Sequence, residues 1–480
     1  MRVLLVQPPT HNSLGLQSFI LPEPLGLEMI GASLRPEHEV LILDMRLEPG
    51  LRQKLVSFGP DAVGVSACFT SDVYNVYQVL DIVREHNPHI LTFVGGHHAT
   101  MAHADFTGKA NAIVLGEGEL TVPELIHCWE EKEQLGAVKG LAYRNGDSWI
   151  QTAPRGLIQD LDKSPLPARD LTSKYLPHYF ITSRQPIALV ETSRGCPHRC
   201  KFCSVWRFFH QSFRYRSPQR VGEELKQIES RDILFTDDSA FSNPYQSEGI
   251  VDEIIREDLH KRYLMQIRAD SIIKHRDTLV KWRNVGLETV FVGFESINQQ
   301  GLDEYGKRLT VNCFEEAIDI LRSLDITFTP SFIVNPDFDR EDFARLRAFI
   351  RQSRFRAPTF SILTPLPGTV LFDEKAQEIT NHNYELYDLL HATIPTKLEL
   401  KEFYKQFVQL YISAYRPYYS LKALLKPLQQ RELRSFFKQA QQGIRLIRDY
   451  HPKALVRHHQ LHPGVLSEKR FPKSARRLTA

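Results

Sequence analysis

Glu191-Thr-Ser-Arg-Gly-Cys-Pro-His-Arg-Cys-Lys-Phe-Cys-Ser204 gathers three of the six cysteines of this 480-residue chain, Cys196, Cys200 and Cys203, within eight residues. Thiolates so spaced imply a soft metal site, because sulfur ligands select iron-sulfur clusters, Zn or Cu(I) over hard cations. An iron-sulfur cluster normally takes four cysteines, and the nearest others, Cys128 and Cys313, are remote in sequence. The residues therefore point to a cluster with one iron left open to something other than protein, as a catalytic centre needs. A structural Zn knuckle with a distant fourth ligand is the competing reading of the same three cysteines. The flanks favour the cluster. Ile187-Ala-Leu-Val-Glu-Thr192 is an apolar, β-leaning run that ends just before Arg194-Gly195, so the loop follows a buried strand. Loops at the carboxyl ends of barrel strands carry catalysis.

Beyond the loop, strand and helix signals alternate. Ser217-Pro218 is an N-cap followed by Pro at the first helical position, starting a helix toward Glu229. Strands are expected at Ile233–Thr236, Tyr263–Ile267, Thr289–Val292, Phe328–Val334 and Phe360–Leu363, which with Ile187–Thr192 make six. Helices are expected at Gln246–Asp258, Asp277–Asn284, Phe314–Leu324 and Arg340–Gln352. Polar residues gather where strands end: Asp237 and Asp238, Arg268 and Asp270, Glu295 and Ser296. Asp-Asp can simply cap a helix and Arg268 can pair with Asp270, but this face of a parallel barrel is where ligands lie.

Toward the amino terminus, Val3–Val6, Val40–Leu43, Ala62–Val65, Ile90–Val94 and Ala112–Leu115 are short apolar runs that read as five buried parallel strands. Helix-compatible stretches at Pro24–Leu34, Val73–Glu85 and Thr121–Glu131 separate them, the pattern of a doubly wound sheet. Ligands of such sheets sit at the carboxyl ends of the strands. There the chain reads Val65-Ser-Ala-Cys68, Gly95-Gly-His-His-Ala-Thr100 and Gly116-Glu-Gly-Glu119. Paired glycines let a ligand approach the backbone, although a plain turn needs them too. Asn145-Gly146 signals a two-residue hairpin, and Pro154, Pro165 and Pro167 mark a connector running to about Pro186.

Cys-x-x-x-Cys-x-aromatic-Cys after a strand resembles the radical S-adenosylmethionine (SAM) superfamily. That resemblance implies that Cys196, Cys200 and Cys203 hold a [4Fe-4S] cluster whose fourth iron chelates the amino and carboxylate groups of SAM, with Phe202 beside the adenine. Six βα units resemble the open, partial (β/α)6 TIM barrel of these enzymes. In the family a residue after the second strand meets the SAM amino group, and groups after the fourth meet ribose or carboxylate. This implicates Glu295 and Ser296, then Arg268, then Asp237.

The amino-terminal order resembles cobalamin-binding domains, which implies that Ser66, Gly95 and Gly96 line the channel for the nucleotide tail. The Asp-x-His-x-x-Gly motif that supplies a lower cobalt ligand is not matched by Gln7-Pro-Pro-Thr-His-Asn-Ser-Leu-Gly15, so His11 reads as an ordinary loop residue. The fold class expected is α/β. A doubly wound, flavodoxin- or Rossmann-like cobalamin-binding domain (1–136) is followed by a hairpin and Pro-rich linker (137–186). A radical SAM domain (187–400) and a basic helical carboxyl-terminal region (401–480) complete the chain.

Arg194-Gly-Cys-Pro197, Cys203-Ser-Val-Trp206, Thr364-Pro-Leu-Pro-Gly-Thr369 and Tyr387-Asp-Leu-Leu-His391 with Pro395-Thr396 resemble bacterial hopanoid C-3 methylases. That likeness implies a radical that removes hydrogen from an unactivated carbon, methyl delivery from methylcobalamin, and a flavodoxin- or ferredoxin-like electron donor. A radical cyclase acting on a porphyrin-like ring shares the domain order. A methylthiotransferase normally has three more cysteines in its first domain, where only Cys68 and Cys128 occur here. A non-catalytic iron-sulfur or cobalamin sensor would leave the polar strand ends unexplained. Cys68, Cys128 and Cys313 sit in apolar neighbourhoods and read as small buried hydrophobes.

Charge is uneven. The chain is +3 overall, yet Leu421–Ala480 carries fourteen Lys/Arg against three Asp/Glu, +11, leaving −8 for the rest. A basic end suits an anionic partner such as a membrane surface, or is a solvated helical face; no nucleic acid partner is expected. With no apolar run of about 18 residues and too short an apolar start for a signal peptide, the expected location is cytoplasmic, peripheral to the inner membrane face if the basic end binds lipid.

Overall fold

The computed structural model describes residues 1–10, 20–355, 357–415 and 451–465. The first apolar runs become Arg2–Gln7 (β1), Glu39–Asp44 (β2), Ala62–Ser66 (β3), Leu91–Gly95 (β4) and Ala112–Val114 (β5). With Leu141–Asn145 (β6) and Ser148–Gln151 (β7) they form a seven-stranded sheet in the order β2-β1-β3-β4-β5-β6-β7. β1 to β5 pair in parallel and the last two antiparallel. Side chains alternate between the faces of a strand. Leu4 and Val6 therefore join the cluster under helix Val73–His86, while Val3 and Leu5 join the one under helices Leu25–Leu34 and Gly118–Glu130. Helices cover both faces, as the apolar runs required.

The hairpin differs from the expectation in two ways. Asn145 pairs with Ser148, so the turn residues are Gly146-Asp147, with Gly146 at φ 62°. Instead of standing in a connector, the hairpin extends the sheet edge by pairing with β5. Backbone groups left unpaired at β5 would otherwise be solvent-facing.

The second sheet contains Ile187–Val190 (β8), Asp232–Phe235 (β9), Arg262–Gln266 (β10), Leu287–Glu295 (β11), Thr327–Val334 (β12) and Thr359–Ile362 (β13), in that order and all parallel. Helix Pro218–Gln227 starts as expected, the Ser217 hydroxyl accepting from the Arg220 N–H. Val190, Phe235, Val292, Phe332 and Phe360 point outward into the core under the helices. Opposite them, Ile187 and Leu264 pack on Leu21, Tyr175 and Tyr179, and Leu189 on Leu25 and Met29. The first domain and the linker thus fill the inner face at β8–β10. Inner positions of β11–β13 include the small residues Gly293, Thr329, Ser331 and Ser361, beside Ile333 and Phe291, the latter 36% exposed.

Helix Leu400–Tyr415 buries Phe403, Tyr404 and Phe407 in this same core, with Leu455 of helix Pro452–His458. The start of the carboxyl-terminal region is thereby part of the barrel. Residues 416–450 and 466–480, which hold most of the basic charge, lie outside the described residues, as do His11 and Gly15.

One buried carboxyl at the junction is unusual. Glu28 is fully buried, accepts from the Thr172 hydroxyl, and leaves Oε2 without a partner. Burial, then the nearby Glu23 carboxylate, pushes it from 4.5 up to about 8. Between those values the folded chain holds a proton that the unfolded chain has released, so stability falls as pH rises across that window. The loss is on the order of 5 kcal/mol. Glu28→Gln is expected to flatten this slope, with a higher unfolding temperature than the parent at pH 8.5 and little difference at pH 5.

Candidate functional site

The cysteine loop leaves the end of β8 and is shaped by its glycine. Gly195 has φ 94°, and a Cβ there would meet the Ser212 carbonyl oxygen at 2.1 Å. Gly195→Ala is expected to cost about 2 kcal/mol or more and to lower the iron bound per chain, measured by iron analysis of the purified protein. Further along, Cys203 N–H and the Trp206 indole N–H both donate to the Cys200 carbonyl, at 3.2 and 3.1 Å. Lys201 N–H donates to Tyr305 O and Lys201 O accepts from Leu371 N–H, each at 2.9 Å. Ion pairs Lys201–Glu374 (2.8 Å) and Arg207–Asp373 (2.7 Å) add to this bracing.

Cys200 is buried, and Cys196 and Cys203 are half-buried. Burial raises all three thiols, Cys203 to about 12, so a cation must displace their protons. Among the described residues no three His, Cys, Asp or Glu side chains converge on a single ion. A cluster spans more space than an ion and takes thiolates from separate corners, which the open loop accommodates. No fourth thiol joins the three: Cys68 is exposed, Cys128 buried and Cys313 half-buried, each elsewhere. The expectation of a buried Cys68 is corrected, because it lies past the end of β3 at the mouth of the first sheet.

The other strand ends converge on the loop. Arg268, Lys307 and Glu295 act electrostatically on Cys200, and Asp238 on Cys196. Glu295 adopts φ 66°, where the register of β11 against β12 shifts between Gly293 and Glu295. Its carboxylate accepts from Lys307 Nζ at 2.7 Å, and a Cβ on Gly293 would lie 2.3 Å from Oε1. A non-glycine residue in this region is strained, and such strain gathers at ligand sites. The Ser296 hydroxyl donates to Asn298 O at 3.1 Å. Arg268 does pair with Asp270, at 3.0 and 3.2 Å, and also donates to Lys307 O at 3.1 Å. Phe202 packs edge-on to Tyr305, their centroids 5.9 Å apart, beside Ile333 and Leu363.

Asp237 and Asp238 divide sharply. The buried Asp237 carboxylate accepts from the N–H and hydroxyl of both Thr192 and Ser193, at 2.8, 2.9, 2.5 and 2.9 Å. Four donors occupy it, so it ties β9 to the root of the cysteine loop. Asp238 is exposed and accepts from the Gly195 N–H. Although its carboxyl opens to solvent, protein surrounds it on most sides; that desolvation, with Asp237 and Glu191, raises it to about 7.

On the first domain, Ser66 and Gly95 end adjacent parallel strands, and Gly95 O accepts from Ala67 N–H at 2.7 Å. Gly96 has φ 119°, and a Cβ there would press on Ala67 and Cys68 at 3.0 Å. Around Gly116, nothing lies within 4 Å of where a Cβ would stand, and Phe69 is 64% exposed at the same mouth. An open, side-chain-poor sheet end with an unpacked aromatic fits a large flat cofactor. This mouth faces the cysteine loop. His97 Nε2 lies 2.6 Å from Ser204 Oγ and its ring stacks on Phe208 at 4.8 Å, while burial lowers its pKa to about 4. Arg194 pairs with Glu117 (2.8 Å), Glu119 (2.5 Å) and Glu191 (2.6 Å). Glu191 is a neighbour in the same loop, but the pairing of Arg194 with Glu117 and Glu119, of His97 with Ser204 and of Lys307 with Glu295 carries no local signal in the sequence, since only the packing of distant segments brings them together.

Two family models match the chain: the B12 binding domain over residues 21–126 and the radical SAM superfamily over residues 190–350. The chain belongs to the cobalamin-dependent radical SAM methyltransferases, whose cofactors are a [4Fe-4S] cluster, SAM and cobalamin. Among its relatives is the hopanoid C-3 methylase of Methylococcus capsulatus, 33% identical over 82% of this chain and 76% of the relative. The anaerobic magnesium-protoporphyrin IX monomethyl ester cyclase of Rubrivivax gelatinosus is 27% identical over 79% of this chain and 69% of the relative. The fold is similar to the radical SAM methyltransferase TsrM of Kitasatospora setae, solved with cobalamin and a [4Fe-4S] cluster bound. That match has a TM-score of 0.65 at 17% identity and covers 80% of this chain and 79% of the other.

Proposed function

We infer that the chain methylates an unactivated carbon of a hopanoid lipid, at C-3. The observation that carries this reading is the 33% identity to a hopanoid C-3 methylase, which runs through both cofactor domains. When bound, the cofactors supply SAM cleavage and methyl transfer; the protein contributes binding, orientation and exclusion of side reactions.

Cys196, Cys200 and Cys203 hold the cluster, and Phe202 with Ile333 and Leu363 forms the apolar seat of the adenine. Glu295, Ser296 and Arg268 face the ribose and carboxylate of SAM, and Asp238 takes the amino group while Asp237 fixes the loop behind it. Ser66, Gly95 and Gly96 line the cobalamin tail. Small inner residues on β11–β13 leave room for a bulky polycycle against Phe291, which is 36% exposed. A flavodoxin- or ferredoxin-like protein supplies the electron. The basic end, +11 over Leu421–Ala480, brings the chain to the membrane holding its substrate, each surface-proximal Lys or Arg contributing about 1 kcal/mol. No helix among the described residues is long and apolar enough to cross a membrane. Replacing Lys422, Lys426, Arg431, Arg434 and Lys438 together by Gln, which spares helix Pro452–His458 in the core, is expected to weaken sedimentation with anionic liposomes strongly, and unchanged sedimentation would refute the anchoring role.

The deciding experiment is anaerobic incubation of reconstituted enzyme with reductant, methylcobalamin, SAM and a hopanoid-containing lipid extract, with mass analysis of lipids and nucleosides. A hopanoid heavier by one methyl unit, with 5′-deoxyadenosine and S-adenosylhomocysteine, is the expected result. The relationship to a magnesium-protoporphyrin cyclase supports a second reading, ring closure on a porphyrin. Conversion of a magnesium-porphyrin ester without gain of a methyl unit would establish that reading and overturn the first.

A further inference from the structure

Both ends of the cysteine loop are held by the cobalamin domain. At one end Arg194, two residues before Cys196, reaches Glu117 and Glu119 at 2.8 and 2.5 Å. Arg194, Glu117 and Glu119 are each more than nine-tenths buried, so these ion pairs are little screened. Glu117 is held in turn by Arg214 Nη1 at 2.9 and 3.0 Å and by the Ile158 N–H at 2.6 Å. At the other end Ser204, directly after Cys203, meets His97 Nε2 at 2.6 Å. A third contact backs the second: Gly368, after the last barrel strand, abuts Met101 so closely that a Cβ would stand 2.5 Å from its sulfur.

The partners are not scattered over the first domain. His97 follows Gly95-Gly96 at the end of β4, and Glu117 follows Gly116 at the end of β5, the two glycine loops at the open mouth of the cobalamin sheet. A group seated in that mouth touches the loops that grip the cysteine loop at its beginning and end. Displacement of either loop on loading moves Arg194 or Ser204 through a short, stiff link, and the cysteines lie between them.

We propose that His97–Ser204 and Arg194–Glu117/Glu119 form a two-point clamp through which cobalamin occupancy sets the geometry of the cluster loop, so that the chain binds SAM more tightly when cobalamin is in place. His97, Arg194, Glu117 and Glu119 are positioning residues: they touch neither SAM nor the cluster. The clamp lowers SAM occupancy in a chain that has no methyl carrier loaded, and it operates whichever substrate is methylated. Coupling of this kind is reciprocal: if cobalamin tightens SAM by some factor, SAM tightens cobalamin by the same factor.

The test uses the full-length chain with its cluster reconstituted and left oxidised, so that no turnover occurs. SAM affinity is measured by equilibrium dialysis without cobalamin and with saturating hydroxocobalamin; hydroxocobalamin affinity is measured by absorbance with and without SAM. In the parent, both ratios are expected to be equal and about fivefold or more. His97→Phe keeps the stack on Phe208 and removes the hydrogen bond, and Glu117→Gln with Glu119→Gln discharges the other end; each is expected to bring the ratio toward one. The electron paramagnetic resonance signal of the reduced cluster should shift on cobalamin binding in the parent and not in these variants. Arg35→Ala, which breaks the exposed Arg35–Asp170 pair between first helix and linker, is expected to keep the parent ratio. If the doubly substituted chain fails to fold, His97→Phe alone decides. A parent ratio near one, or a parent-sized ratio retained in folded, cluster-loaded His97→Phe, would overturn the proposal.

Discussion

Cys196→Ala, Cys200→Ala and Cys203→Ala chains are each expected to purify without a [4Fe-4S] cluster and to release no 5′-deoxyadenosine from SAM. The reasoning begins with ligand count. Three thiols share one loop and the remaining three cysteines lie elsewhere, so no substitute thiolate completes the set. Loss of one corner leaves a second iron open and the cluster without its anchor. Because the cofactor carries the difficult step, activity should fall by roughly a thousandfold or more. Cobalamin binding should stay close to the parent in all three variants, and the unfolding temperature most closely for Cys196→Ala and Cys203→Ala, since those two are only half-buried and the loop is braced by backbone hydrogen bonds. Absorbance near the cluster band, iron analysis and nucleoside chromatography check this together. A variant that keeps both cluster and SAM cleavage would remove its cysteine from the ligand set.

The second large effect separates two adjacent carboxylates. Asp237→Ala strips partners from the N–H and hydroxyl groups of Thr192 and Ser193 in a buried setting. Orphaned buried donors are costly, and the expected loss is about 3 kcal/mol or more. The cysteine loop should lose iron along with stability. Asp238→Ala, one residue further on, should leave unfolding within about 1 kcal/mol of the parent. Its effect should fall on SAM, with affinity lowered by about tenfold for loss of one charge-assisted hydrogen bond. Calorimetry and equilibrium dialysis on both variants distinguish the roles. Equal stability losses would refute the division, and undiminished SAM binding by Asp238→Ala would release Asp238 from the amino group.

That pair also marks the limit of the sequence. Asp237 and Asp238 both follow β9, and position after a strand selects them equally; only the pleat and the nearness of β8 turn one inward to four donors. The same applies to Cys68, whose apolar neighbours in sequence suggest burial while its place past the end of β3 exposes it. Asn145-Gly146 announces a hairpin, yet not that β5 needs one to complete its edge. Arg268 and Asp270 are visible as a pair two residues apart, whereas Lys307, twelve residues after Glu295, meets it only because the chain returns over the barrel mouth.

By itself the sequence determined the order of the parallel strands and several of the helices between them, and put three thiols on one loop after a strand, because these follow from local periodicity, turn chemistry and spacing; the helix Leu51–Phe58 it left unmarked. The continuous apolar runs of β1 and β8, buried on both faces, needed no distant partner to be legible. Tertiary structure alone decided how the two cofactor domains meet. The His97–Ser204 contact and the Arg194–Glu117/Glu119 pairs join residues 107, 77 and 75 positions apart. A contact of that range is set by how whole sheets pack, and no window of residues along the chain contains it.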